Sequence, residues 1–209
     1  EDARRSLSDR GGRLSVDREV TRVRLDGSRP VSFARYAAVE APLLSALAGG
    51  ALPEDVLDAE PLPPLDGASW SDVAHRRRGY VGGTSCGEGL AWGGDALLAL
   101  GGQRRGAPPR ARPWAAAFER AEARSAPSDP EALLRDWVAD VLWELGWTED
   151  TTFALARAEL ATRLAMARWA MARMVESGTR PDRAAAEAVL VAELAGQSPL
   201  WPAVLRTIQ

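Results

Sequence analysis

The longest uninterrupted helical pattern in the chain runs from Thr151 to Ser177. Its bulky apolar residues recur at steps that place them on one side of a helix turning about 100° per residue; they are Phe153, Leu160, Leu164, Ala167, Met171 and Met174. A second stripe of small residues lies roughly a quarter-turn or more away, at Ala154, Ala158, Ala161, Ala165 and Ala172. Because two faces need neighbours, the pattern predicts the central helix of a bundle.

Three further stretches after residue 113 have helical patterns with start or stop signals. Ser128 and Asp129 before a proline form a strong N-cap signal, and Gly146 is expected to end that helix in the left-handed conformation. The three stretches are Trp114–Arg124, Pro130–Leu145 and Asp182–Ala195. We therefore expect residues 113–209 to form a C-terminal helical bundle that folds on its own. A hinge rich in proline, Gly106–Pro113, is expected to separate it from residues 1–106.

The N-terminal half, residues 1–106, has weaker patterns. Alternation of Leu14 with Val16 and of Val23 with Leu25, closed by Asp26-Gly27, predicts a small β-hairpin or an extended arm. Short helical segments are expected next, from Ser32-capped Phe33 to Gly49, over Leu52–Ala59 and over Trp70–Arg78. The predicted fold is therefore mainly α, with a looser N-terminal half joined to the bundle.

The segment Gly79–Gly106 is rich in glycine, with ten of the 19 glycines of the chain and its only cysteine. This composition predicts a loop, broken by a short helix over Asp95–Leu100. Glycines around Cys86 would expose its thiol and free backbone N–H groups for an anion, so Cys86 is a candidate reactive thiol with His75 as its base. Nothing in the sequence brings these two residues together, and a recognition or assembly loop is the preferred interpretation.

Arginine clusters are the second candidate site. Three arginines beside a tyrosine have the composition of a site for a phosphate or for single-stranded nucleic acid, and two more arginines lie near the end of the glycine-rich segment. The candidate residues for partner or anion binding are Arg76, Arg77, Arg78, Tyr80, Arg104 and Arg105, with Arg110 and Arg112 as further neighbours. The competing interpretation is that these arginines lie in solvent at helix ends.

Two other groups of residues bear on function. Asp136, Asp140 and Glu144 share one helix face and have oxygen ligands suited to Mg²⁺, but they oppose the apolar face and are expected to be solvated. The chain also has eight tryptophans. Trp143 and Trp169 lie away from the apolar faces of their helices, so each needs a second packing surface, in the N-terminal half or in another chain.

Composition excludes several functional classes. The 26 basic residues are all arginine, so no lysine exists for a Walker-type phosphate loop or a Schiff base. One cysteine and one histidine exclude a disulfide and the common zinc sites, and we expect no metal or cofactor. A net charge of −3 disfavours a general nucleic-acid binder.

No membrane span or signal peptide is recognised, which predicts a cytoplasmic protein. A removed leader or upstream domain stays open. The usage of arginine and alanine suggests a bacterial source.

Elimination therefore favours a non-catalytic interaction or assembly subunit, which binds a protein partner or a second copy of itself through aromatic and arginine-rich surfaces. One alternative is a nucleic-acid-associated accessory protein that uses the arginine clusters. The other is an enzyme centred on Cys86.

Overall fold

The protein is mainly helical and has a C-terminal helical bundle, as the sequence predicts. The computed structural model describes residues 22–27, 29–62, 84–102, 110–148 and 151–197, with the side chains of the third helix described from Cys86 onward. The helices in these residues are α1 Phe33–Ala48, α2 Pro53–Leu57, α3 Thr84–Leu100, α4 Ala115–Glu122, α5 Pro130–Glu144, α6 Phe153–Glu176 and α7 Pro181–Gly196.

The helix starts follow the capping signals of the sequence. Asp129 accepts a hydrogen bond of 3.0 Å from the Glu131 N–H at the start of α5, and Thr152 accepts one of 3.3 Å from the Leu155 N–H at the start of α6. Each bond satisfies an N–H group that has no partner within its helix. Proline occupies the first turn of α2, α5 and α7, where its missing N–H and fixed φ cost nothing.

The end of α5 differs from the prediction. Leu145 adopts the left-handed conformation with φ of 56°, whereas Gly146 was expected to do so. Leu145 is buried, and its carbonyl accepts a hydrogen bond of 3.0 Å from the Thr148 N–H. Burial of the leucine side chain offsets the left-handed strain, which is about 1–2 kcal/mol for a residue with a Cβ.

Helices α3, α6 and α7 form the centre of the molecule, with the most extensive contact between α6 and α7. Helix α5 packs on α7 and runs in the same direction. Ser128, just before α5, bonds to Asp182 at the start of α7, and Trp137, halfway along α5, bonds to Glu193 near the end of α7. Helix α1 also packs against α5. The bulky face predicted for α6 is buried as expected, except that Met171 is half-buried.

The prediction that the alanine stripe of α6 packs against a neighbouring helix is wrong in part. Ala161 is buried, but Ala154 and Ala172 are exposed. The second buried surface of the helix is formed instead by Ala156, Met166 and Ala170. Helical spacing alone places small residues on a face, but the positions of α3 and α7 determine which part of that face is covered.

The prediction of a loop over the glycine-rich segment is also wrong for the part of that segment that the structure describes, because residues 84–100 form the 17-residue helix α3. The segment Asp95–Leu100 is only its last part. A Cβ added at Gly89 would overlap Leu194 Cδ1, and one added at Gly93 would lie 3.1 Å from Ala195 Cβ and 3.2 Å from Met166 Cε. The glycines therefore permit close approach of α3 to α6 and α7, where the helix gains more from packing than it loses in propensity.

The expected β-hairpin is not supported among the described residues. They contain one isolated antiparallel bridge, in which the Val31 N–H donates to the Val23 carbonyl at 2.7 Å. The carbonyl of Arg24 accepts from the Phe153 N–H at 2.8 Å, and that of Leu25 accepts from the Ala154 N–H at 2.9 Å. The extended segment thus satisfies the first N–H groups of α6 rather than a second strand. Leu14 and Val16 lie outside the described residues.

Apolar residues of the N-terminal half belong to the same core as the bundle. Val23, Tyr36 and Leu57 are buried in one cluster with residues of α5, α6 and α7. Arg168 of α6 adds a polar link, since it bonds to Glu54 of α2 at 2.7 Å and to Glu131 of α5. Autonomous folding of residues 113–209 stays a prediction.

Among the described helices, none combines the length and the apolar character that a membrane span needs.

Candidate interaction surfaces

An apolar groove lies between α1 and α5. It encloses about 310 Å³, a volume at the lower end of the roughly 300–1,000 Å³ typical of ligand pockets. The spacing of leucines along α1 brings Leu44 and Leu47 to one wall, and Ala139 leaves room on the opposite wall beside Trp143. The complete lining is Leu44, Ser45, Leu47, Ala48, Arg135, Asp136, Ala139 and Trp143.

The rim of this groove carries more negative than positive charge. Arg135 is offset by Asp129, whose carboxylate lies 3.3 Å from its guanidinium. Partial burial raises the pKa of the Asp136 carboxyl, and the nearby negative charge of Asp140 raises it further, while the positive charge of Arg135 offsets only part of this increase. A raised pKa means that the ionised form of Asp136 is short of compensating interactions, so a cation placed at this rim would be attracted.

A second, polar cleft of about 560 Å³ lies where α4, the turn between α6 and α7, and the start of α7 meet. Its lining residues are Arg112, Glu119, Glu122, Ala123, Ser177, Gly178, Thr179, Arg180 and Arg183. Arg180 bonds to Asp182 through its Nε at 3.0 Å and its Nη2 at 2.7 Å. These bonds lower the pKa of Asp182 to about 2, because they favour the ionised carboxylate.

One buried carboxylate organises the wall of the cleft. Glu187 is completely buried, and it accepts hydrogen bonds of 2.9 Å from Arg112 Nη1, from Trp114 Nε1 and from Arg183 Nε. A buried carboxylate is retained only when its oxygens are satisfied in this way. Glu187 therefore fixes two arginine side chains of the cleft and the start of α4 at the same time.

The predicted arginine site cannot be placed, because Arg76, Arg77, Arg78, Tyr80, Arg104, Arg105 and His75 lie outside the described residues. The two further arginines named with them are described. Arg110 pairs with Asp95 of α3, with 3.0 Å between Nη2 and Oδ1, and Arg112 pairs with the buried Glu187. Both guanidinium groups link elements of the fold, so neither extends a free arginine surface.

Cys86 does not lie in a flexible loop. It is half-buried in the first turns of α3 and packs against Leu90 and Ala91, an environment usual for a small apolar side chain. The residues that the structure describes contain no group of three or more His, Cys, Asp or Glu side chains placed to hold a metal ion. In particular, Asp136, Asp140 and Glu144 form no such group.

The two tryptophans predicted to need a second surface find it in the same chain. Trp169 meets Trp92 of α3 edge-on, with 6.0 Å between the ring centroids, and Trp143 lines the groove with α1.

Sequence reasoning missed both cavities. Its only available signal for the polar cleft was the i, i+4 spacing of Arg183 and Glu187 on α7, while the apolar groove depends on a contact between distant helices.

Comparison of the chain with family models, with curated proteins and with solved structures finds no match.

Proposed function

We propose that the protein is a non-catalytic interaction or assembly subunit, and that the groove between α1 and α5 receives a segment of a partner protein. The observation that carries this proposal is the groove itself, an apolar cavity of about 310 Å³ that opens at the surface between two helices. Grooves of this kind take an apolar anchor residue from an extended or helical segment of another protein.

The rim charges define the partner. Since Asp129 offsets Arg135 and the raised pKa of Asp136 reflects a poorly compensated carboxylate, a lysine or arginine beside the anchor residue gains a favourable interaction. The partner segment therefore combines one large apolar side chain with a neighbouring basic residue. Charge complementarity of this type contributes chiefly to specificity and association rate.

Selection from a displayed library of random peptides tests the proposal. The expected peptides have a large apolar residue next to lysine or arginine, and Ala48→Arg should weaken their binding at least about tenfold, or 1.4 kcal/mol. Ala48 is exposed and lines the groove, so an arginine there obstructs it without disturbing the core. Ala172→Arg is the matched control, because Ala172 is exposed on α6 and does not line the groove.

Three results would overturn this proposal. The first is a library that yields no enriched peptide, and the second is equal loss of binding in both variants. The third comes from light scattering: if the protein forms a dimer that Ala48→Arg dissociates and Ala172→Arg does not, a second copy of the chain occupies the groove.

Replacement of Asp136 by asparagine should reduce the preference for basic peptides while binding of the apolar anchor persists.

A further inference from the structure

Two arginines of the polar cleft converge on a single carboxylate. Glu122, the last residue of α4, lies 2.7 Å from Arg180 Nη1 and 3.5 Å from Arg183 Nη1. The other nitrogens of these arginines are held elsewhere, by Asp182 in the case of Arg180 and by Glu187 in the case of Arg183. The two Nη1 atoms are therefore held in place independently of Glu122. Donors that are positioned in this way before a ligand arrives are suited to binding an oxyanion.

The element that carries Glu122 is weakly attached. No residue of α4 is buried, and its start is fixed through Trp114 Nε1 and the Ala115 carbonyl, which bond to Glu187 and Arg183. The contact of Glu122 with the two arginines ties down the far end of the helix. Release of Glu122 would break its ion pair with Arg180, whose side chain is 48% exposed, while Phe118, one turn earlier in α4, keeps its packing against the core.

From this arrangement we propose that the cleft is a binding site for a compact oxyanion, a phosphate or a carboxylate, and that Glu122 occupies the site in the free protein. An incoming oxyanion replaces the Glu122 carboxylate between Arg180 and Arg183, and the end of α4 moves away. A doubly charged anion competes best, because it places two charges where Glu122 places one. The cleft volume of about 560 Å³ leaves room for a group attached to the anion.

Glu119 provides a control that the chain itself supplies. It lines the same cleft and is exposed, so Glu119→Gln and Glu122→Gln remove the same charge from the same cavity. In the structure, Glu122 is the carboxylate that lies between the two Nη1 atoms. If anion binding depends on the position of Glu122, the two variants must differ in anion affinity. If it depends only on the total charge of the cleft, their affinities must change alike.

Calorimetric titration with inorganic phosphate and, separately, with succinate tests the inference. Glu122→Gln should bind one of these anions at least about tenfold more tightly than the wild type, Glu119→Gln should stay within about twofold of the wild type, and adding Arg180→Gln to Glu122→Gln should remove the gain. The tighter anion identifies the ligand as phosphate-like or carboxylate-like. Equal affinities in Glu122→Gln and Glu119→Gln, or no anion binding by Glu122→Gln while its melting curve shows a folded protein, would mean that Glu122 only anchors α4.

Discussion

Helices α3 and α4 are both rich in small residues, yet α3 lies inside the molecule and α4 lies on its rim. Every residue from Gly87 to Leu98 in α3 is buried, whereas no residue of α4 is. Helix α3 is held by close contact with α6 and α7, whereas α4 is held by polar contacts with Arg180, Arg183 and Glu187 and by the packing of Phe118 against the core. Small side chains thus serve opposite purposes: they permit close packing in α3, and they leave α4 with little apolar surface to bury.

The largest effect is expected where the interior is truncated. Leu164 of α6 is 1% exposed, and Leu164→Ala should lower the free energy of unfolding by about 2–5 kcal/mol, because it leaves a cavity that the neighbouring helices cannot fill. Val175→Ala on the same helix is the control, since Val175 is 39% exposed, and it should cost under about 0.5 kcal/mol. Urea denaturation measures both. Similar small losses would mean that the buried face of α6 is misplaced.

The second effect concerns Glu187, the buried carboxylate of α7 that holds the start of α4. Glu187→Ala should lower the free energy of unfolding by roughly 2–3 kcal/mol, since Arg112, Arg183 and Trp114 lose their shared acceptor. Glu176→Ala removes a carboxylate that pairs with Arg173 at 2.8 Å but is 63% exposed, and it should cost under about 0.5 kcal/mol. A loss for Glu187→Ala no greater than this control would show that α4 is attached by other contacts.

The third prediction tests the close packing of α3. Gly93→Ala should destabilise the protein by roughly 1 kcal/mol, because overpacking against Ala195 and Met166 exceeds the gain in helix propensity. Gly146 has nothing within 4 Å of an added Cβ and has no positive φ. Gly146→Ala should therefore stabilise the protein by about 0.4–1 kcal/mol. Thermal unfolding of the two variants should give melting shifts of opposite sign, and stabilisation by both would contradict the role given to Gly93.

The smallest effect is expected at the rim, where water competes with every polar contact. Hydrogen bonds from Arg180, and from the backbone N–H groups of Arg183 and Ser128, lower the pKa of Asp182 from its ordinary 3.8 to about 2. The folded state is therefore favoured by ionisation of Asp182 above pH 4 and loses that contribution as the pH falls towards 2. Asp182→Asn should be slightly less stable than the wild type at pH 7. Denaturation curves should show this difference closing between about pH 4 and pH 2. An unchanged difference across that range would exclude the ion pair as its source.

Much of the helical structure was predictable because caps and periodicity are local signals. The sequence Ser128-Asp129-Pro130 specified the start of α5 without any knowledge of the fold. Helix α3 was not predictable in this way. Its glycines lower intrinsic helix propensity, and only the presence of Leu194, Ala195 and Met166 on facing helices makes their small size favourable. The same limit applies to both candidate sites, since each is formed by helices that are distant in sequence.

Composition and local patterns alone predicted the mainly helical class, the start of α5, the bulky buried face of α6 and the absence of lysine chemistry. These properties depend on composition and on residues within a few positions of each other. Contacts between distant helices account for the rest: α3 is a buried helix, Arg110 and Arg112 are bound to carboxylates, and Glu122 lies between Arg180 and Arg183. Charge pairing and close packing depend on which helices meet, and local propensity contains no information about that choice.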